Sequence, residues 1–135
     1  MKLGEKAKEY YLEQGLNCAV SVLLAANDTY NLGLKKQDAQ LITAFGGGMG
    51  CGNLCGALAG SMAALGKVFL AEDEMYKPEF KDVCAGFVAK FNERWGTTLC
   101  APIKEVNATD PRTRCSVTVL ETGNLLQEYI DGLKK

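Results

Sequence analysis

Apolar residues recur every three or four positions along most of the chain, which is the spacing of one face of an α-helix. Runs that alternate apolar and polar residues, as a strand requires, are short. The pattern therefore predicts a single all-α domain over residues 1–135. We expect a compact bundle of five to six helices, with a glycine-rich loop before a central small-residue helix. The clearest stripe comprises Phe80, Val83, Cys84, Phe87, Val88, Phe91 and Trp95.

Capping residues and prolines predict where the helices begin and end. Gly15 ends a first helix over residues 2–14, and Asn17 caps a second helix whose first residue is Cys18. Asp110 and Pro111 supply a cap and a first-turn proline for the last helix. The other helices are predicted to begin at Gln37 or Asp38, at Asn53 and at Pro78.

A glycine loop runs directly into a small-residue helix between Phe45 and Gly66, and no charged residue occurs between Ala39 and Gly66. The glycines over residues 46–52 interrupt this stretch, so we predict a buried core helix and no stable membrane insertion. Within the helix, Gly56 and Gly60 have the G-x-x-x-G spacing that lets another helix approach closely. That neighbour is predicted to lie within the chain or in a homodimer.

Composition excludes several classes of chemistry. Lys and Arg (15) nearly balance Asp and Glu (16), so we expect no nucleic-acid binding. The chain has no histidine, which removes Ser/His/Asp triads, Cys/His pairs and histidine metal ligands. The charged N-terminal stretch lacks the apolar core of a signal peptide, so we expect a cytoplasmic location. Six cysteines in a reducing compartment favour metal binding or redox chemistry over static disulfides.

Three cysteines, Cys18, Cys55 and Cys115, lie near predicted helix starts, and Cys100 lies in a predicted connection. If those helix starts converge, four sulfurs share one electropositive pocket. Asn53 as N-cap would place Cys55 in the first turn of its helix, where free N–H groups and the helix dipole favour a thiolate. We therefore predict a lowered pKa for Cys55. The spacings match no zinc-ribbon, thioredoxin or ferredoxin pattern, all of which use C-x-x-C pairs.

Two further cysteines, Cys51 and Cys84, are predicted to differ in role. Cys51 lies on the glycine loop and forms the only close pair, with Cys55, so it is an additional candidate ligand or resolving thiol. Cys84 lies in the apolar stripe of its helix and is interpreted as a core residue.

The segment Cys55-Gly56-Ala57-Leu58-Ala59-Gly60 resembles the core motif of the C_GCAxxG_C_C family, which is described as redox-active. The preceding FGGGMG, a cysteine opening an early helix (Cys18) and two late cysteines (Cys100 and Cys115) are also similar, so the resemblance covers nearly the whole chain. It implies that Cys18, Cys55, Cys100 and Cys115 are the characteristic residues of the site. Cys51 and Cys84 are additional to that pattern.

Three functions remain open from the sequence. The four cysteines hold an iron–sulfur cluster or act as redox-active thiols, in an electron carrier or oxidoreductase that works with a redox partner. Alternatively, they hold a structural or sensed zinc ion without catalysis. In a third interpretation the chain is an interaction protein whose cysteines are only buried, and no cofactor is bound. For a bound cofactor, the expected backbone contacts come from Gly47, Gly48, Gly50, Gly52 and Gly56.

Overall fold

The computed structural model describes residues 1–134, and the regular elements within that range are helices. Its α-helices are α1 (Leu3–Leu12), α2 (Cys18–Tyr30), α3 (Gly56–Phe69), α4 (Pro78–Trp95), α5 (Cys100–Asn107) and α6 (Ser116–Leu133). A 3₁₀ helix (Lys36–Phe45) lies between α2 and the glycine loop. The only extended pairing in these residues is an isolated bridge between Leu54 and Leu99. The predicted all-α class is confirmed, and with the 3₁₀ helix the described chain has seven helices where five to six were expected.

The bundle is built around close contacts between α1, α2, α3 and α6. A Cβ atom on Gly60 would lie 2.3 Å from the carbonyl oxygen of Ala19, so α3 approaches α2 at a distance that only glycine permits. The G-x-x-x-G spacing therefore serves helix packing within the chain. A Cβ atom on Gly123 would lie 2.7 Å from the Cα atom of Gly4, and α6 packs on α1 in the same way.

Large apolar side chains from α4, α1, α3 and α6 fill the core. Phe87 and Phe91 of the predicted stripe are completely buried, whereas Cys84 is only half-buried at the edge of that stripe. Burial of each large side chain contributes about 1.5–3 kcal/mol. The other large core residues include Leu3, Leu58, Leu65, Leu126 and Ile130. None of the helices in residues 1–134 is both long and apolar enough to span a membrane.

Several predicted helix boundaries differ from the structure. α3 begins at Gly56 with Cys55 as its N-cap, because the backbone of Asn53 and Leu54 is not helical and pairs with Leu99 and Cys100 at the start of α5. The last helix begins at Ser116, and residues 111–115 form a turn instead of its first turn. The segment expected to be a connection around Cys100 forms α5, in which Pro102 occupies the first turn, where no intrahelical N–H is needed.

Candidate functional site

Four cysteines, each at the start of a different helix, line one cavity of about 290 Å³. Cys18 and Cys100 are the first residues of α2 and α5, and Cys55 and Cys115 are the N-caps of α3 and α6. The structure therefore brings together the four residues that the sequence singles out. Cys55 and Cys100 are buried, and Cys18 and Cys115 are half-buried. No disulfide joins any cysteines, and all six thiols are free.

Asn17 fixes the start of α2, as its position predicted. Its side-chain oxygen accepts a hydrogen bond from the N–H of Val20 (2.9 Å), the standard N-cap arrangement. Its amide nitrogen donates to the carbonyl of Thr43 (2.8 Å), near the end of the 3₁₀ helix. One side chain thus holds both the helix start that presents Cys18 and the segment that enters the glycine loop.

A short extended contact places Cys55 beside Cys100. The N–H of Cys55 donates to the carbonyl of Thr98 (2.8 Å), and the N–H of Cys100 donates to the carbonyl of Asn53. Leu54 and Leu99 form the bridge between these two bonds. The backbone itself therefore sets the relative positions of two of the four thiols.

Tyr11 of α1 holds the fourth cysteine. The N–H of Cys115 donates to the Tyr11 hydroxyl (3.1 Å), and Tyr11 is nearly buried beside the cavity. The guanidinium of Arg114 lies over the Tyr11 ring, 4.9 Å from its centroid, and donates to the Tyr11 carbonyl (3.4 Å). Arg114 itself has a left-handed backbone (φ 47°), which turns the chain into the start of α6.

Two of the five glycines expected near a cofactor, Gly47 and Gly56, line the cavity. Gly48 lies just outside the lining, and a Cβ atom there would be 2.5 Å from the Cβ atom of Cys100. Gly50 and Gly52 do not line the cavity: a Cβ on Gly52 would meet Ala101 and one on Gly50 would meet nothing within 4 Å. The expected cofactor contacts from Gly50 and Gly52 therefore do not correspond to this geometry.

The remaining two cysteines lie outside the lining. Cys51 is exposed on the glycine loop, where its thiol donates to the carbonyl of Gly48 (3.6 Å). Cys84 lies in the middle of α4. The four cysteines that line the cavity are thus the same four that the family resemblance singles out, and Cys51 and Cys84 belong to neither set.

Burial has the largest effect on the pKa values of Cys55, Cys100 and Cys115. It raises the pKa of Cys55 to about 12, although backbone N–H groups of Leu58 and Ala57 at the start of α3 act in the opposite direction. Burial and the neighbouring Cys18 raise the pKa of Cys100, against the effect of Lys104. The pKa of Cys115 is also raised, by burial and then by Cys18 and Cys100. The predicted lowering of the Cys55 pKa is wrong, because desolvation outweighs the helix terminus.

The cavity wall carries positive but no negative side chains. Lys104 and Arg114 belong to the lining, which includes no Asp or Glu, and four helix N-termini meet there. The positive ends of helix dipoles and the two cations favour a negatively charged occupant. Residues 1–134 contain no group of three or more Cys, Asp or Glu side chains placed to hold a single metal ion.

The lining residues that were not predicted from the sequence include four with polar groups: Tyr11, Lys104, Arg114 and Thr118. Lys104 lies one helical turn after Cys100, and Thr118 lies three residues after Cys115. Lys104 and Thr118 could therefore have been predicted as lining residues from their helical spacing to Cys100 and Cys115.

Comparison with known proteins gives the family. A family model described as "Putative redox-active protein (C_GCAxxG_C_C)" matches residues 16–129, a span that contains all four cavity cysteines. A protein of Archaeoglobus fulgidus named "Uncharacterized protein" is 32% identical over 132 residues, covering 85% of this chain and 87% of that protein. No solved structure matches the chain. Because the family model matches most of the chain and this relative is similar over most of both chains, the chain belongs to the C_GCAxxG_C_C family.

Proposed function

We propose that this protein carries electrons through an iron–sulfur cluster ligated by Cys18, Cys55, Cys100 and Cys115. The observation that supports it best is the convergence of four helix starts, each with a cysteine, on one cavity of about 290 Å³. The family's description as redox-active agrees with this proposal. A cytoplasmic location and a separate redox partner are part of the same proposal.

The donor set suits iron and sulfide. Four cysteine thiolates are the usual ligands of [2Fe–2S] and [4Fe–4S] clusters, and soft sulfur donors without nitrogen do not suit magnesium or calcium. A cluster with four thiolate ligands is negatively charged. The helix N-termini together with Lys104 and Arg114 would stabilise that charge.

The volume of the cavity, about 290 Å³, leaves room for a group larger than a single zinc ion. Tetrahedral zinc holds each sulfur at about 2.3 Å, so two sulfurs on one zinc ion are about 3.8 Å apart. A cluster of several irons occupies more space, and its cysteine ligands stand further apart. In residues 1–134 no group of three or more cysteines is placed to hold a metal ion, although four cysteines share a cavity.

Thiol–disulfide chemistry is the second candidate, and the four free thiols around one cavity favour it. In this case two thiols would lose two electrons and two protons to a disulfide or peroxide substrate and form one disulfide bond. Attack requires a thiolate, and burial raises the pKa of Cys55, so Cys55 is disfavoured as the attacking thiol near neutral pH. We rank this candidate below the cluster because one disulfide would use only two of the four cysteines that line the cavity.

A set of Cys→Ser variants tests the proposal. The full chain is purified without oxygen and reconstituted with iron and sulfide, and iron, sulfide and visible absorbance are measured. We expect Cys18→Ser, Cys55→Ser, Cys100→Ser and Cys115→Ser to lose or destabilise the chromophore. Cys51→Ser and Cys84→Ser are matched controls outside the cavity and should retain it. Equal loss in the controls, or a wild-type chain that binds zinc and no iron, would overturn the proposal.

A further inference from the structure

Thr118 belongs to the lining of the four-cysteine cavity, and its buried hydroxyl has no hydrogen-bond partner within residues 1–134. Thr118 belongs to the first turn of α6, three residues after Cys115, and its side chain is 2% exposed. Its Oγ1 atom has no partner among residues 1–134. Buried hydroxyl groups in folded proteins are nearly always hydrogen-bonded, and the place of Thr118 in the cavity lining makes its hydroxyl a candidate donor to a group that binds there.

The position of Thr118 explains why the chain itself does not satisfy this hydroxyl. Buried hydroxyls in helices commonly donate to the carbonyl four residues earlier, as Thr29 does to Ala25 (2.9 Å) and Ser61 does to Ala57 (2.8 Å). For Thr118 the corresponding residue is Arg114, which precedes α6 and has a left-handed backbone. The carbonyl four residues before Thr118 is therefore not part of α6.

We propose that the Thr118 hydroxyl donates a hydrogen bond to a sulfur of the cluster bound in the cavity and thereby raises its reduction potential. The inference rests on the proposed function. A hydrogen bond to sulfur stabilises the additional negative charge of the reduced state, and such bonds are among the main determinants of cluster potentials. Thr118 contacts the bound group directly in this account and is not a ligand to iron.

Thr122 is a matched control on the same helix. It lies one turn further along α6, is completely buried, and its hydroxyl also has no partner within residues 1–134. Unlike Thr118, it is not part of the cavity lining. Replacement by valine keeps the shape of either side chain and removes only the hydroxyl, so the two variants differ in their relation to the cavity.

The test is an anaerobic redox titration of the reconstituted full chain as wild type, Thr118→Val and Thr122→Val, with iron and sulfide measured first. We expect a lower midpoint potential in Thr118→Val, a potential near that of the wild type in Thr118→Ser, and no shift in Thr122→Val. An unchanged potential in an iron-loaded Thr118→Val variant, or an equal shift in Thr122→Val, would overturn the inference and leave the cluster proposal intact. A wild-type chain that takes up no iron would overturn both.

Denaturation of the iron-free chain supplies an independent readout. Because neither hydroxyl has a partner within the described chain, Thr118→Val and Thr122→Val should both be at least as stable as the wild type. A loss of stability in iron-free Thr118→Val alone would show that the chain already bonds this hydroxyl, which would contradict the inference. Should Thr118→Val not fold after reconstitution, Thr118→Ala removes the same donor and must show the same lowered potential.

Discussion

A Cβ atom on Gly56 would lie 2.3 Å from the sulfur of Cys18. The first residue of α3 therefore has to be glycine for the Cys18 thiol to remain at the cavity beside Cys55. This contact connects the sequence motif to the site, because the glycine that follows Cys55 makes room for a cysteine from another helix.

Gly56→Ala should displace Cys18 and damage the site. We expect the free energy of unfolding to fall by about 1–3 kcal/mol, the usual cost of overpacking, together with a loss of bound iron in reconstituted protein. Gly66→Ala is the matched control on the same helix, since a Cβ there meets nothing within 4 Å. That change should raise stability by about 0.5–1 kcal/mol through helix propensity. Urea unfolding and iron analysis measure both effects, and a Gly56→Ala variant with normal stability and iron would contradict this packing argument.

Tyr11→Phe should weaken the hold on Cys115. The Tyr11 hydroxyl accepts a hydrogen bond from the Cys115 N–H, and its contact with the thiol lowers the pKa of Cys115 against the larger effect of burial. Its removal should cost about 0.5–1.5 kcal/mol and raise that pKa further. In the iron-free chain, alkylation of Cys115 at a fixed pH near 8 should therefore become slower.

Tyr10→Phe is the control for this prediction. The Tyr10 hydroxyl donates to Asp28 (2.6 Å) and makes no contact with the cysteine cavity. Mass spectrometry of alkylated peptides gives the rate at Cys115 in each variant. Equal rates in wild type and Tyr11→Phe would show that the hydroxyl does not influence the thiol.

The iron-free chain should lose stability as the pH rises from about 9 toward 12. The pKa of Cys55 is raised to about 12 in the folded state, while an unfolded cysteine ionises near 8.5. Below the unfolded value both states hold the proton, and the stability is fully present. Above it only the unfolded chain releases the proton, so stability falls by about 1.4 kcal/mol per pH unit for this thiol.

Cys55→Ser tests whether the Cys55 thiol causes this loss of stability with rising pH. Urea unfolding of the iron-free chain between pH 8 and pH 10 should show a shallower loss in Cys55→Ser than in the wild type. The raised pKa values of Cys100 and Cys115 act in the same direction, so part of the slope should remain. Identical slopes in the two proteins would mean that Cys55 is not buried as a neutral thiol.

Lys104→Gln should lower the reduction potential of the loaded protein. Lys104 lines the cavity, and loss of its positive charge disfavours the more negative reduced state. Because Lys104 is exposed, added salt should shrink the difference between variant and wild type. Lys90→Gln, on α4 and outside the cavity lining, should leave the potential unchanged. A salt-independent shift, or an equal one in Lys90→Gln, would show that a different effect is responsible.

Features set by local sequence were predictable. The cap on α2 follows from Asn17 alone, since its side chain bonds an N–H three residues away, and the stripe containing Phe87 and Phe91 follows from helical spacing. The predicted start of α3 at Asn53 was wrong. Asparagine is a common N-cap residue, but the helix begins three residues later, at Gly56. The backbone of Asn53 is instead held by the distant segment that contains Cys100.

Features that depend on tertiary contacts could not be read from the residues. The convergence of four helix starts was a hypothesis, and no local pattern encodes the distance between Cys18 and Cys115. The pKa of Cys55 was predicted in the wrong direction for the same reason. The helix terminus is visible in the sequence, whereas the burial that outweighs it depends on how the helices pack.

The iron and sulfide content of the anaerobically reconstituted wild-type chain, with its electron paramagnetic resonance spectrum before and after reduction, tests the central claim most directly. The account predicts stoichiometric iron and sulfide, visible absorbance, and a cluster signal that changes when one electron is added. Colourless protein without iron, whose four cavity thiols all remain free to react with alkylating reagents, would contradict it.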